Sequence, residues 1–350
     1  MQYIDADIPT KVYLSTDVMV DFKHNCTYFG RKCLIVTGKS GAAKSGALSD
    51  AIAVLKSESV EYEIFDQIEA NPSVETIKLC EQLHFQSKVN FVLAIGGGSV
   101  MDAAKAICFA LAGINFLVAS TESPIPLMVI PTAAGTGSEI TQYAILTFNE
   151  LKTKASIKNL KFPDFAFCNP KYLASLDAKQ VVSMYFDISC HAIESSLSVK
   201  RGPVQLGHAK TALNLLAQSR SLLNNDLSLA NLFRLQLASI EAGVSISKAG
   251  TSIPHGMSYP ITYNFKVPHG LACATYLADY LQFCPENNVK DLLNAFGYNS
   301  ASELKAEIHK FSPKIELSEE QKNFFTEQFQ QSGKMNAHGP LDIKEVRNMW

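Results

Sequence analysis

Asn90-Phe91-Val92-Leu93-Ala94-Ile95-Gly96-Gly97-Gly98-Ser99-Val100-Met101-Asp102 runs from an aliphatic stretch into glycines and then into helical spacing. An apolar run without polar alternation is the pattern of a strand buried on both faces. The glycines and Ser99 mark a tight turn at its carboxyl end, and 100–111 continues as a helix. Bare backbone at Gly97 and Gly98 lets a pyrophosphate approach the helix N-terminus. Ser99 and Asp102 are spaced as a variant capping box that fixes the first helical turn. A tight turn with no ligand has the same composition, and the segment does not match the Gly-x-Gly-x-x-Gly dinucleotide fingerprint.

The neighbouring sequence repeats the strand-turn-helix order. Residues 1–30 read as a peripheral strand pair and a helix. Then come a strand at 33–37 ending in Gly38-Lys39-Ser40-Gly41, a helix at 48–55, a strand at 62–65 and a helix at 74–83. Such alternation builds a parallel sheet with helices on both faces. Downstream, a strand at 127–130 enters Pro131-Thr132-Ala133-Ala134-Gly135-Thr136-Gly137-Ser138-Glu139. Its hydroxyls at Thr132, Thr136 and Ser138 either line the far side of a cofactor cleft or belong to an ordinary polar loop. Two such loops on neighbouring strand ends favour the cleft.

A strand at 143–148 and a charged connection at 149–154 follow. Helical spacing then dominates at 181–196, 205–223, 229–247, 289–293, 301–311, 319–331 and 340–350, with 250–270 read as non-helical. The expected architecture is an α/β N-terminal dinucleotide-binding domain, a Rossmann-like parallel sheet, over residues 1–170. An all-α C-terminal metal-binding domain follows over 171–350.

A chain of 350 residues suits two domains, and 47% hydrophobic with 18% charged residues is a globular composition. A formal charge of −2 supplies no basic field for nucleic acid or acidic lipid, which leaves small-molecule chemistry. The first residues lack a basic segment followed by an apolar one, so a cytoplasmic protein is expected. The apolar stretch 103–118 is interrupted by Lys105, Gly113 and Asn115 and is too short for a membrane span. Eight dispersed cysteines without a Cys-x-x-Cys pair read as reduced, mostly buried thiols, which argues against a cysteine-based zinc site.

Four residues in the second half carry a different chemistry. Asp187 and His191 lie four apart in a helical segment, so they share a face. His255 and His269 each sit in a Pro-His-Gly segment, Pro254-His255-Gly256 and Pro268-His269-Gly270. A lone histidine in an apolar run is usually a packed core residue. One carboxylate and three imidazoles together suit a divalent first-row metal, Fe(II) or Zn(II).

These residues resemble the iron-dependent (group III) alcohol dehydrogenases, whose motifs occur here in the family's order over nearly the whole chain. They are Gly96 through Ala106, Pro131 through Glu139, Asp187-x-x-x-His191-Ala192-x-Glu194, and the interval from His255 to the second Pro-His-Gly. The resemblance implies the fold shared with dehydroquinate synthase, a cofactor domain before a helical domain with a metal in the cleft between them. It makes Asp187, His191, His255 and His269 the metal ligands. It places Gly97, Gly98, Ser99, Asp102, Thr132, Thr136 and Ser138 at the cofactor, with Asn71 beside the adenosine ribose and Lys154 near the nicotinamide ribose. NAD-preferring members often carry Asp after the first strand. Gly38-Lys39-Ser40 stands there instead, which favours NADP(H). Members are frequently dimers or larger assemblies, so a homo-oligomer is expected.

Two positions depart from the family pattern. Tyr259 stands where many members have a histidine thought to relay protons, and an unperturbed phenol titrates near pH ~10. Asn169 replaces the usual Asp before Pro170. The expected reaction is reversible hydride transfer between nicotinamide C4 and a small primary alcohol or aldehyde, with an apolar wall at Ile253, Tyr259, Tyr263 and Phe265. A metal- and NAD-dependent lyase of the dehydroquinate synthase kind is the main rival, and it needs a Lys/Arg cluster where this chain has few charges. A phosphonate- or phosphate-bearing aldehyde, met by Lys200 and Arg201, and a catalytically silent binding protein on the same fold are the other readings.

Overall fold

Every residue of the strand Phe91–Gly96 is buried, as expected for an apolar run in the middle of a sheet. The computed structural model describes residues 3–4, 8–118, 120, 122–150, 153–157, 160–333, 335 and 342–350. The first residues of the chain, 151–152 of the charged connection and 340–341 of the last expected helix lie outside these. The chain divides into two units, Met1–Leu176 and Asp177–Trp350.

Among its described residues the first unit holds nine strands: β1 (Tyr3–Ile4), β2 (Lys11–Leu14), β3 (Lys32–Gly38), β4 (Glu61–Ile68), β5 (Phe91–Gly96), β6 (Leu127–Pro131), β7 (Ala144–Phe148), β8 (Thr153–Ile157) and β9 (Phe165–Cys168). Seven form one sheet in the order β1-β2-β9-β6-β5-β3-β4, in which only the β1–β2 pair is antiparallel. β3 is flanked by β4 on one side and β5 on the other, so the strand order reverses between β3 and β5. That reversal is a topological switch point, where open α/β sheets bind ligands beyond the carboxyl ends of their strands. The register pairs Thr37 with Ile95 and Gly96 with Pro131, which levels the ends of β3, β5 and β6. The loops at 38–41, 96–99 and 131–138 therefore start side by side.

The glycine turn differs from its expected form. The helix begins at Gly98, with Gly97 as N-cap and no side-chain cap, so the capping box read from Ser99 and Asp102 does not form. Ser99 Oγ instead accepts from the amide of Asn71, and Asp102 reaches out to the 131–145 segment. A Cβ at Gly98 would lie 2.6 Å from the side chain of Thr136. Part of what glycine permits here is thus the close approach of two loops. β7 and β8 form a separate antiparallel hairpin, and β8 was not expected from sequence.

Among the described residues of the second unit, the secondary-structure elements are all helices joined by turns and loops. Asp177 and Gln180 close a capping box on the helix Ala178–Ser196, which packs against Pro203–Gln218, Leu229–Ala249 and His269–Leu281. The interval expected to be non-helical is mostly two helices, Ile253–Phe265 and His269–Leu281. Pro254 sits in the first turn, where its missing N–H costs nothing, and Pro268 is the N-cap of the next helix. Both prolines mark helix starts, and Lys266, with φ 55, stops the first helix. No described helix is long and apolar enough to cross a membrane.

Helix His269–Leu281 seats tightly on helix Ala178–Ser196. A Cβ at Gly270 would meet Ser183 O at 1.9 Å and Asp187 Cβ at 2.7 Å, and the Gly270 amide donates to Ser183 Oγ at 3.1 Å. Gly270→Ala is expected to cost about 3 kcal/mol, at the upper end of overpacking penalties, because the obstacle is backbone. Urea denaturation of the variant measures this, and a change below about 0.5 kcal/mol would contradict the packing account.

Candidate metal centre and cofactor loops

Helix Ala178–Ser196 carries Asp187 and His191 one turn apart, both buried. His255 comes from the first turn of Ile253–Phe265, and His269 is the first residue of His269–Leu281. The four sequence-predicted residues meet at one point. Asp187 Oδ1 lies 3.5 Å from His255 Nε2, 3.9 Å from His269 Nε2 and 4.0 Å from His191 Nε2. The rings of His191 and His255 stack at 4.5 Å, and His269 meets His255 edge-on at 5.4 Å. His269 is the open side of the group, with a side chain 28% exposed against 4–6% for the others.

Neither Asp187 Oδ1 nor His255 Nε2 has a hydrogen-bond partner, although both are buried. Buried polar atoms rarely stay unpaired, and these two face each other at a distance too long for a good hydrogen bond. Donors about 2.1 Å from a divalent ion sit about 3.0–3.5 Å apart, close to the spacings seen. Burial disfavours the Asp187 carboxylate, but His191, His269 and His255 outweigh it and hold the carboxyl well below its usual range. Burial also disfavours a charged His255 ring, yet Cys273, Glu194 and Asp187 push its pKa well above the ordinary value. The site is built to hold positive charge, and the residues fit a divalent metal.

Two residues outside the predicted set complete the surroundings. Glu194, buried and one helical turn beyond His191, accepts from His255 Nδ1 at 2.5 Å and from the Ser252 amide at 2.6 Å. This makes Nδ1 the donor, so that the neutral ring presents its Nε2 lone pair toward Asp187. The sequence reading quoted Glu194 without a role, and its spacing of seven from Asp187 places it on the same helix face. Cys273 joins Asp187, His255 and His269 in a set whose donor atoms all lie within 4.8 Å of one another. Its spacing of four from His269 was hidden because 269–281 was not read as a helix. Tyr259 is buried and stacks on His269 at 6.3 Å. Phe265 turns to Phe325, and Tyr263 lies under Lys266, so the expected apolar wall is divided.

The cofactor residues expected from sequence fall into three groups, all within the first unit. Gly38 ends β3, and Lys39 and Ser40, both exposed, follow it. Asn71, held at φ 60, donates its amide to Ser99 Oγ and accepts from Lys154 Nζ at 2.6 Å and Thr147 Oγ1 at 2.9 Å, which joins 71, 99 and 154 in one cluster. Asp102 accepts from Ser138 Oγ at 2.5 Å and the Ile145 amide at 2.8 Å, so both oxygens serve the protein itself. Thr136 Oγ1 accepts from the Ser138 amide, and the Thr132 amide donates to Gly96 O. Gly97 and Gly98 are backed by Ala133 and Thr136.

Lys105, fully buried behind the glycine turn, was read only as a break in an apolar stretch. Its ammonium donates to Ser138 Oγ at 2.8 Å, Tyr143 O at 2.9 Å and Thr141 Oγ1 at 3.3 Å, which uses all three of its hydrogens. Burial lowers its pKa to about 8, against the pull of Asp102 and Glu139. Lys105 therefore ties the glycine-loop helix to the second loop.

Comparison with known proteins bears on the family of the chain. A family model described as iron-containing alcohol dehydrogenase matches residues 9–170, and its C-terminal counterpart matches 181–319. The chain is 28% identical over 285 residues to the 1,3-propanediol dehydrogenase of Klebsiella pneumoniae, covering 77% of this chain and 73% of that one. It is 30% identical over 299 residues to the mitochondrial hydroxyacid-oxoacid transhydrogenase of Xenopus tropicalis, spanning 69% of this chain and 64% of its relative. Its fold is similar to the crystal structure of an iron-containing alcohol dehydrogenase from Thermotoga maritima, with a TM-score of 0.92, 28% identity, and 99% and 98% of the two chains covered.

Two measurements follow from this geometry. Glu194→Gln keeps the shape but removes the charge that orients His255, and it is expected to weaken metal retention against a chelator by about 10- to 100-fold. Unchanged retention would contradict the orienting role. For Lys105, a folded pKa of about 8 against an ordinary 10.5 means that the unfolded chain binds more protons between these values. Its burial thus costs stability below pH 8, and the cost is relieved as pH rises toward 10.5. The stability of wild type relative to Lys105→Met should therefore climb across that window, by a total of about 3 kcal/mol. A flat difference in paired denaturation curves would refute it.

Proposed function

The chain belongs to the iron-containing alcohol dehydrogenase family, and from that premise we propose a metal-dependent reductase that interconverts a small primary alcohol and its aldehyde using NADP(H). The observation that carries this reading is the buried Asp187 Oδ1, without a hydrogen bond and ringed by three imidazole nitrogens at 3.5–4.0 Å. Asp187, His191, His255 and His269 are the proposed ligands of the metal. When bound, the iron supplies Lewis acidity toward the substrate oxygen and the nicotinamide supplies or accepts hydride at C4.

The chain's own residues supply position and charge. Glu194 fixes the plane and tautomer of His255 through Nδ1. Tyr259 stacks on His269 and sets the ring at the open side of the group, where a substrate oxygen can arrive. In the first unit, the levelled ends of β3, β5 and β6 gather the loops of Gly38, Gly97 and Thr132, and bare backbone at Gly97 with Ser99 suits a pyrophosphate. Lys154, Asn71 and Ser99 form the ribose side.

Preference for NADP(H) is proposed on the end of β3. Lys39 and Ser40 are exposed there and no carboxylate follows the strand, so a 2′-phosphate meets a cation and a hydroxyl. The names of the two relatives point to a diol and to hydroxy acids as their substrates, so a substrate panel should span both. Iron-loaded protein with NADPH is expected to reduce small aldehydes, read as loss of NADPH absorbance, and no loss with any member would sink the oxidoreductase reading. Lys39→Asp is expected to lower the ratio of kcat/KM for NADPH to that for NADH by about tenfold, equivalent to ~1.4 kcal/mol. An unchanged ratio would remove Lys39 from cofactor selection.

A further inference from the structure

Cys273 lies one turn after His269 on the helix His269–Leu281, so the thiol and the imidazole share a face. Its sulfur is 3.8 Å from His269 Nε2 and 3.9 Å from Nδ1, and it is fully buried. It belongs to the set with Asp187, His255 and His269 whose donor atoms are all within 4.8 Å of one another. Two atoms of that set, Asp187 Oδ1 and His255 Nε2, are buried without hydrogen-bond partners. A buried thiol beside these unpaired atoms is placed to ligate the same ion.

We propose that Cys273 is a sulfur donor of this metal centre, added to the carboxylate and imidazoles, and that it turns the centre toward thiophilic ions such as zinc. The inference rests on the reading of this site as a metal centre. The thiolate is the ligating form, and the thiol proton leaves to solvent as the ion enters. A thiolate beside imidazoles raises affinity for zinc relative to ions that prefer oxygen. Cys190, also buried and on the helix that carries Asp187 and His191, lies outside the donor set and serves as a control.

The test strips the full-length protein of metal, reloads it with cobalt(II) without oxygen and records its absorption spectrum. Wild type is expected to show visible ligand-field bands together with a near-ultraviolet thiolate-to-cobalt charge-transfer band. Cys273→Ser should keep the visible bands and lose the charge-transfer band, whereas Cys190→Ser should keep both. Visible bands without charge transfer in wild type would overturn the role of Cys273 and leave the metal centre standing. That outcome is readable without any variant. Failure to take up cobalt at all would overturn the metal centre itself, and this inference with it. Retention of the charge-transfer band in Cys273→Ser would also overturn it.

Discussion

A carboxylate oxygen buried among three imidazole nitrogens, with no hydrogen bond of its own, is the constraint that gives the second unit its form. An unpaired buried charge is costly enough that proteins rarely keep one without a counter-charge. At Asp187 the surrounding atoms are nearly all lone-pair donors or proton carriers, so the missing partner is positive. The helix Ala178–Ser196 brings Asp187, His191 and Glu194 to one face at spacings of four and three. The glycine at 270 lets a second helix come close enough to set His269 against Asp187. Glu194 fixes the third ring from behind. Packing, capping and charge thus converge on a single point.

The first unit works on a different principle. Its strands end level where the sheet order reverses, and the loops that leave them are held by side chains that serve the protein first. Asp102 and Ser138 bind each other, and Lys105 spends all three hydrogens on the neighbouring loop. Residues that the motif reading places at a cofactor also form a frame that holds the two loops together. A frame of charged groups is dearer than an apolar one, because Lys105 must lose its hydration. It fixes the loops at fully buried points where packing alone would leave polar groups unpaired.

Much of this was legible in the sequence. Continuous apolar runs, ending in glycine for β3 and β5 and in proline for β6, placed these strands correctly, because a strand covered on both faces is apolar throughout. The grouping of Asp187, His191, His255 and His269 was readable from two short-range spacings, i to i+4 and the repeated Pro-His-Gly. What failed were places where one residue type serves two purposes. Pro254 and Pro268 looked like breaks but begin helices, and that misreading concealed Cys273 as a neighbour of His269. Ser99 and Asp102 had the spacing of a helix cap but were drawn away by Asn71 and Ser138, contacts 28 and 36 residues distant that no local rule sees. The hairpin partner β8 was lost because Thr153, Lys154 and Ser156 masked the strand pattern.

The central claim is that Asp187 and its imidazoles hold a metal that the reaction needs. Elemental analysis of the protein purified without oxygen tests it most directly. The account predicts about one iron or zinc ion per chain, with aldehyde reduction lost when a chelator removes the metal and restored when it is returned. Protein that is folded, reduces aldehydes with NADPH and carries no metal would contradict it.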